Sequence, residues 1–144
     1  MVLLKYPNSI LTNPVNVFDF EKLDPLQISD GMINLMIAKG GIGLAANQVG
    51  IDARIFVMKT QAGEYLTVIN PEILKYSSET VTFQEGCLSF PGLSLGVTRP
   101  ATVEAAFLDK YANSCIMSFE GVDAICFQHE YDHLSGITFD TKSI

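Results

Sequence analysis

Basic side chains are scarce: nine lysines and arginines stand against sixteen aspartates and glutamates, the formal net charge is −7, and Arg54 and Arg99 are the only arginines. A phosphate backbone needs a basic face, so nucleic acid is not expected as a partner. The acid surplus reads as a solvated surface rather than a steering device. Long apolar runs are also missing, and none comes near the roughly 18 residues that a membrane span needs. The opening MVLLKYPNSILTNP has too brief an apolar stretch and too early a proline for a secretory signal, which makes a cytoplasmic location the expectation. Cysteines number three, Cys87, Cys115 and Cys126. An odd count with no small-scaffold spacing excludes a disulfide framework and leaves thiol, core or metal roles. Repeats, low-complexity tracts and linkers are absent, so residues 1–144 read as a single domain. At that size the chain can bury about two thirds of its unfolded surface, and it does not need a metal merely to fold.

What is present organises the chain. In DPLQISDGMINLMIAKGG, Asp24 suits an N-cap, Pro25 the first helical position and Gln27 a capping-box spacing. Ile28, Met32, Leu35 and Met36 then fall on one helical face, with Gly40 or Gly41 as the stop. ARIFVM, YLTVIN and the stretch around VTFQEG are short runs rich in β-branched and aromatic residues, parted by turn signals at Gln61-Ala62-Gly63 and Asn70-Pro71; they read as strands. ATVEAAFLDKYANSCIMSFEG reads as two more, joined by a hairpin over residues 109–113. A last helix is expected over residues 121–134.

That helix holds both histidines of the chain. His129 and His133 are four apart with Glu130 between them, the HExxH spacing, and Gly136 stands where the longer HExxHxxGxxH pattern has its glycine. The third histidine of that pattern is missing, since position 139 is Phe139. Val122, Ile125, Cys126, His129 and His133 lie on one stripe, so the imidazoles face inward with Glu130 at the edge. Ala124, Phe127, Tyr131 and Leu134 form a second apolar row, so the helix should be packed on most sides. Two neutral imidazoles one turn apart can hold a divalent ion, and a neighbouring carboxylate can serve as base to a water on it. A catalytic ion needs a third protein ligand, which must come from upstream. Cys87 in QEGCLSFPG is the strongest candidate, because a thiolate suits borderline and soft metals and Gly86 lets the backbone come close. Cys126 fits better as a wall and Cys115 as core.

GIGLAANQVG, residues 41–50, matches the GxGxxA dinucleotide fingerprint through Gly41, Gly43 and Ala46. That fingerprint must follow a strand and open a helix, whereas this segment follows a helix and leads to a strand. A glycine loop whose backbone approaches another group, with Gln48 supplying an amide, is the better reading.

Taken together, GIGLAANQ, EGCLS and QHEYDHLSG occur in the order of the GxGLAAxQ, EGCLS and QHExDHLxG motifs, and the chain resembles the peptide deformylase family over nearly its whole length. The resemblance implies an α+β fold in which antiparallel or mixed β-sheets pack around a central C-terminal metal-binding helix, with an N-terminal helix. It implies a metal-dependent hydrolase that removes the N-formyl group from N-formylmethionyl polypeptides and releases formate. Cys87, His129 and His133 are then the metal ligands. Glu130 is the general acid and base for the attacking water, and Gln48 and the backbone N–H of Leu88 are the oxyanion donors. Ile42, Phe83, Val122, Ile125 and Cys126 line the methionine pocket, with His129 at its edge, and the substrate backbone lies beside Gly43 as an added strand. Fe(II) is the metal implied, with nickel, cobalt or zinc as substitutes; the donor set alone suits zinc as well as iron. Asp132 is expected to pair with Arg99, since a buried carboxylate needs a partner. Many members continue into a long, basic C-terminal helix that this sequence lacks, so ribosome docking is not expected; a monomer acting on nascent chains is. Asn47 stands where the family varies. A zinc peptidase or a non-enzymatic metal- or peptide-binding module would share parts of the same signature.

Overall fold

The computed structural model describes residues 1–143. Asp24 caps helix α1 (Pro25–Ala38) by accepting hydrogen bonds from the N–H groups of Leu26 and Gln27, as its sequence implies. Met32 and Met36 on its inner face are fully buried, while Ile28 and Leu35 pack at the margin. Seven strands follow: β1 (Gly43–Ala45), β2 (Ile55–Lys59), β3 (Tyr65–Tyr76), β4 (Thr80–Cys87), β5 (Phe90–Pro100), β6 (Thr102–Leu108) and β7 (Ser114–Glu120). They form a five-stranded sheet in the order β1-β2-β3-β6-β7 and a separate β4–β5 ribbon. Every pairing among the described residues is antiparallel, which narrows the expectation of antiparallel or mixed sheets.

Three local readings change. Asn70-Pro71 does not end a strand; β3 runs through it on a bulge, with the register slipping between Ile69 and Glu72 and Asn70 at φ 50°. Proline lacks a ladder donor and is tolerated at such a bulge. The Asn70 side chain holds the spot by accepting from Phe18 N–H at 2.8 Å and donating to Phe18 C=O at 3.2 Å. The GIGLAANQVG segment is not a plain loop. It forms the edge strand β1 and then a 3-10 turn, Ala46–Val49, closed by Gly50 in the left-handed region at φ 74°. Strand β5 was not expected at all, because Pro91 and Gly92 look like punctuation and its inward-facing position 99 is an arginine.

Helix α2 (Gly121–Leu134) runs beneath both sheets, and residues 124–130, His133 and Leu134 are all buried. Phe127 anchors its back, with ring centroids 5.0 Å from Phe56, 4.7 Å from Phe119 and 6.3 Å from Phe107. Burying such a ring contributes about 1.5–3 kcal/mol and fixes the rotation of the helix, hence the direction in which the histidines point. Gly136 closes α2 with a Schellman pattern: Gly136 N–H donates to His133 C=O and Ile137 N–H to Asp132 C=O, each at 2.9 Å, with Gly136 at φ 75°. The glycine of the motif is therefore a helix stop. The chain then folds back so that Phe139 packs edge-on against Phe90 at 5.4 Å and beside His129 at 5.5 Å. Among the described residues no helix is long and apolar enough to cross a membrane.

Candidate metal centre

Between β1, the β4–β5 ribbon and α2 lies a cleft of about 710 Å3. Its floor is set by strand periodicity: Phe83, Glu85 and Cys87 alternate along β4, so all three turn toward α2. Cys87 closes the strand at a tight turn, where the register shifts after Gly86. From α2, His129 and His133 arrive one turn apart with ring centroids 5.0 Å from each other. Cys87 Sγ is 3.4 Å from His133 Nε2, and the ligand atoms of Cys87, His129 and His133 all lie within 4.8 Å of one another. A thiol and two imidazoles at that separation fit one divalent ion as ligands on three sides, leaving the side toward the cleft open.

The protonation pattern fits a cation as well. Burial lowers His133 well below the ordinary imidazole range, and the positive charges of His129 and Arg99 lower it further, so it offers a lone pair. Burial also opposes charge on His129, but Glu130, the Cys87 sulfur and Glu85 outweigh it and raise this imidazole to about 10 in the metal-free protein. A pocket that draws a proton this strongly carries surplus negative charge, and a bound cation would answer the same surplus. Glu130 itself is pushed up to about 7, chiefly by burial and secondarily by the charge of Glu85, against the pull of His129 and Arg99. Its Oε1 is buried without a hydrogen-bond partner, a costly state that a water or ion in the site would relieve.

Glu85 escaped the sequence reading. It accepts from His129 Nδ1 at 2.9 Å, which leaves Nε2 of that ring for the ion, and it also accepts from Arg99 Nε at 2.6 Å and Nη2 at 3.0 Å. Burial drives Glu85 upward, yet the bonds from His129 and Arg99 hold it below the ordinary carboxylate range. A carboxylate behind a metal-binding histidine fixes its tautomer and orientation. The expected Arg99–Asp132 pair is present at 2.8 Å, and Lys142 joins Asp132 at 2.9 Å. Asn47, from which sequence yielded nothing, donates through Nδ2 to the backbone carbonyl of His133 and so ties the 3-10 turn to α2.

The remaining candidates converge on the cleft. Ile42, Gly43, Gln48, Phe83, Leu88, Val122, Ile125 and Cys126 all line it. Cys126, its thiol pushed up by burial and nearby carboxylates, stays protonated as a wall. Cys115 lies in the β6–β7 hairpin, partly buried against the core. A side chain at position 43 would overlap Glu130 Oε2 and come within 3.0 Å of Cys126 Sγ, so only glycine lets β1 pass this close to the carboxylate.

A family model for polypeptide deformylase matches residues 1–143. The chain belongs to this family. Its members remove N-formyl groups from nascent peptides, and the chain is an enzyme of that kind, dependent on a metal. The peptide deformylase of Aquifex aeolicus is 40% identical over 139 residues, covering 93% of this chain and 82% of the relative. A probable peptide deformylase from Synechococcus phage S-SSM7 superposes with TM-score 0.92 at 34% identity, over 99% of each chain. The enzyme from Synechococcus elongatus, solved in complex with actinonin, gives TM-score 0.94 at 32% identity over all of this chain and 80% of that one. The deformylase fold is thus present from α1 to α2 and the turn after it.

Proposed function

We propose that the enzyme hydrolyses the formyl amide of N-formylmethionyl polypeptides, with Cys87, His129 and His133 as the ligands of a single divalent ion that is Fe(II) in the cell. The observation that carries this reading is the convergence of one thiol and two imidazoles beneath the unpartnered carboxylate of Glu130. Such an ion, when bound, supplies Lewis acidity that makes water nucleophilic near neutral pH and polarises a carbonyl. Glu130, buried and with Oε1 unpartnered, takes the proton of the attacking water and returns it to the leaving amine. Gln48 Nε2 and the backbone N–H of Leu88 donate to the oxygen that gains charge as the formyl carbon becomes tetrahedral. Ile42, Phe83, Val122, Ile125 and Cys126 form an apolar wall for an unbranched thioether, with area burial and sulfur–aromatic contact at Phe83 as the attractive terms. The exposed edge of β1 at Gly43 receives the substrate backbone as an added strand. Nascent formylated chains are then the partners, met in the cytoplasm by a monomer that has no use for nucleic acid or a membrane.

Anaerobic purification followed by metal analysis and a formate assay on formyl-Met-Ala-Ser tests the reading on one sample. One ion per chain, iron as the native metal, and stoichiometric formate are expected. Glu130→Gln should keep the ion and lose turnover by at least about a hundredfold. Cleavage of internal peptide bonds without formate release would instead assign a peptidase. Retention of full activity after prolonged aeration or peroxide would remove iron, because both Fe(II) and thiolate are oxidisable.

A further inference from the structure

Ser89, the last residue of the EGCLS motif, has no part in the chemistry above. It is fully buried and does not line the cleft. Its hydroxyl nevertheless sits in a closed set of bonds around Gln48. Ser89 Oγ donates to the Leu4 carbonyl at 2.6 Å, Gln48 Nε2 donates to Ser89 Oγ at 3.0 Å, and Ala45 N–H donates to Gln48 Oε1 at 2.9 Å. A carbonyl can only accept, so the single hydroxyl proton is committed to Leu4, and Ser89 turns a lone pair toward the amide. That lone pair demands N–H. At the other end of the amide, Ala45 N–H demands oxygen. Both constraints select the same one of the two flip states, and the flipped amide would set oxygen against oxygen and N–H against N–H. One hydrogen of Nε2 is left over, and it is directed to the metal side, where Cys87 Sγ lies at 3.6 Å.

The Leu4 carbonyl is itself held. Leu4 N–H donates to Gln48 C=O at 2.7 Å and Tyr6 N–H to Ser89 C=O at 2.8 Å, so residues 4–6 are stitched between the 3-10 turn and the β4–β5 hairpin. Tyr6 stacks on Phe90 with centroids 5.1 Å apart.

We propose that Ser89, polarised by the Leu4 carbonyl, is a positioning residue that aims the second N–H of Gln48, the one directed at Cys87 Sγ, into the cleft. The proposal rests on Gln48 being an oxyanion donor. A donor is effective in proportion to its preorganisation, so losing the Ser89 lone pair frees the amide to rotate and weakens its action on the transition state while the ground-state contacts of the substrate stay intact.

A double-mutant cycle on the full-length, metal-loaded enzyme tests this with formyl-Met-Ala-Ser, reading kcat, KM, metal content and Tm for the parent, Ser89→Ala, Gln48→Ala and the double variant. Gln48→Ala should lower kcat about a hundredfold and Ser89→Ala about tenfold, with KM within about twofold and one ion retained in each. The double variant should match Gln48→Ala, because Ser89 acts through an amide that is no longer there. Should Ser89→Ala fail to fold, Ser89→Cys carries the same cycle, its thiol being the poorer acceptor. Full kcat in Gln48→Ala would remove the donor role and the proposal with it. A slow Gln48→Ala, combined either with a Ser89 variant at full kcat or with losses that multiply in the double variant, would overturn the role of Ser89 alone.

Discussion

Replacing Glu85 by Gln probes the centre without touching a metal ligand or the cleft floor's shape. In the parent, the two carboxylate oxygens receive three donors: Arg99 Nε on Oε2, and Arg99 Nη2 and His129 Nδ1 on Oε1. An amide of the same shape keeps one acceptor oxygen and turns an NH2 toward the other donors, so at least one donor is left facing a donor. It also removes the negative charge from Arg99, which is 2% exposed and keeps Asp132 alone as its counter-ion. Breaking a buried ion pair in this way costs about 3–5 kcal/mol. At roughly 3 °C per kcal/mol for a domain of this size, Tm should fall by about 10 °C. Loss of the negative charge behind His129, which an amide oxygen at Oε1 does not replace, should separately weaken metal binding by about 10–100-fold. Thermal melts of the metal-free and metal-loaded forms, with a chelator competition for affinity, measure the two effects independently. The gap between loaded and metal-free Tm should shrink as affinity falls. An unchanged metal affinity would show that the charge of Glu85 does not act on the ion through His129, and a Tm within about 2 °C of the parent would show that Glu85 and Arg99 do not form a buried ion pair.

Other perturbations follow from the same geometry. Gly43→Ala places a methyl in the space of Glu130 Oε2, so it should cut kcat at least tenfold while the metal stays bound, as read by formate release and metal content; full activity would show that β1 can retreat. Phe127→Ala removes the ring shared by Phe56, Phe107 and Phe119 and should cost about 3–5 kcal/mol in denaturant unfolding. A loss below about 1 kcal/mol would place the anchor of α2 elsewhere. In the metal-free protein, burial raises Glu130 from 4.5 to about 7, so the folded state binds that proton more tightly than the unfolded one. The sign follows: as pH rises from the unfolded to the folded value, this carboxyl costs the folded state up to about 3 kcal/mol, a cost absent below both values. Metal-free Glu130→Gln should therefore be more stable than the parent at pH 8 and indistinguishable at pH 4, as measured by urea unfolding; the reverse order would contradict the burial of the carboxylate.

Legibility from sequence was greatest where one residue's own neighbours decide its environment. The bounds of α2 were readable because its apolar stripe, its two histidines and the glycine after it are all local. The β6–β7 hairpin announced itself by β-rich runs around a polar turn, and the Asp24-Pro25 start of α1 by capping chemistry. Strand β5 was hidden because Pro91 and Gly92 mimic a break, and because the inward side of its far end is occupied by Arg99 rather than an apolar residue. Its period-two pattern of Leu93, Leu95 and Val97 was the available signal. Glu85 shares that lesson: it alternates with Phe83 and Cys87, so a strict strand reading puts it on the metal face. Ser89 could not be read at all, since its function depends on a carbonyl 85 positions away. The bulge at Asn70-Pro71 likewise depends on Phe18, 52 positions away, whose backbone holds the asparagine. Cys87 was already the strongest third-ligand candidate from its thiolate chemistry and the flanking Gly86, and the family resemblance singled it out.

The central claim is that a thiol from β4 and two imidazoles from α2 enclose one ion. X-ray absorption at the zinc edge of the stoichiometrically loaded enzyme reads this shell directly. One sulfur at about 2.3 Å and two nitrogens at about 2.0–2.1 Å are expected, with the sulfur vanishing in Cys87→Ser. A first shell of nitrogen and oxygen alone in the parent enzyme would contradict the account.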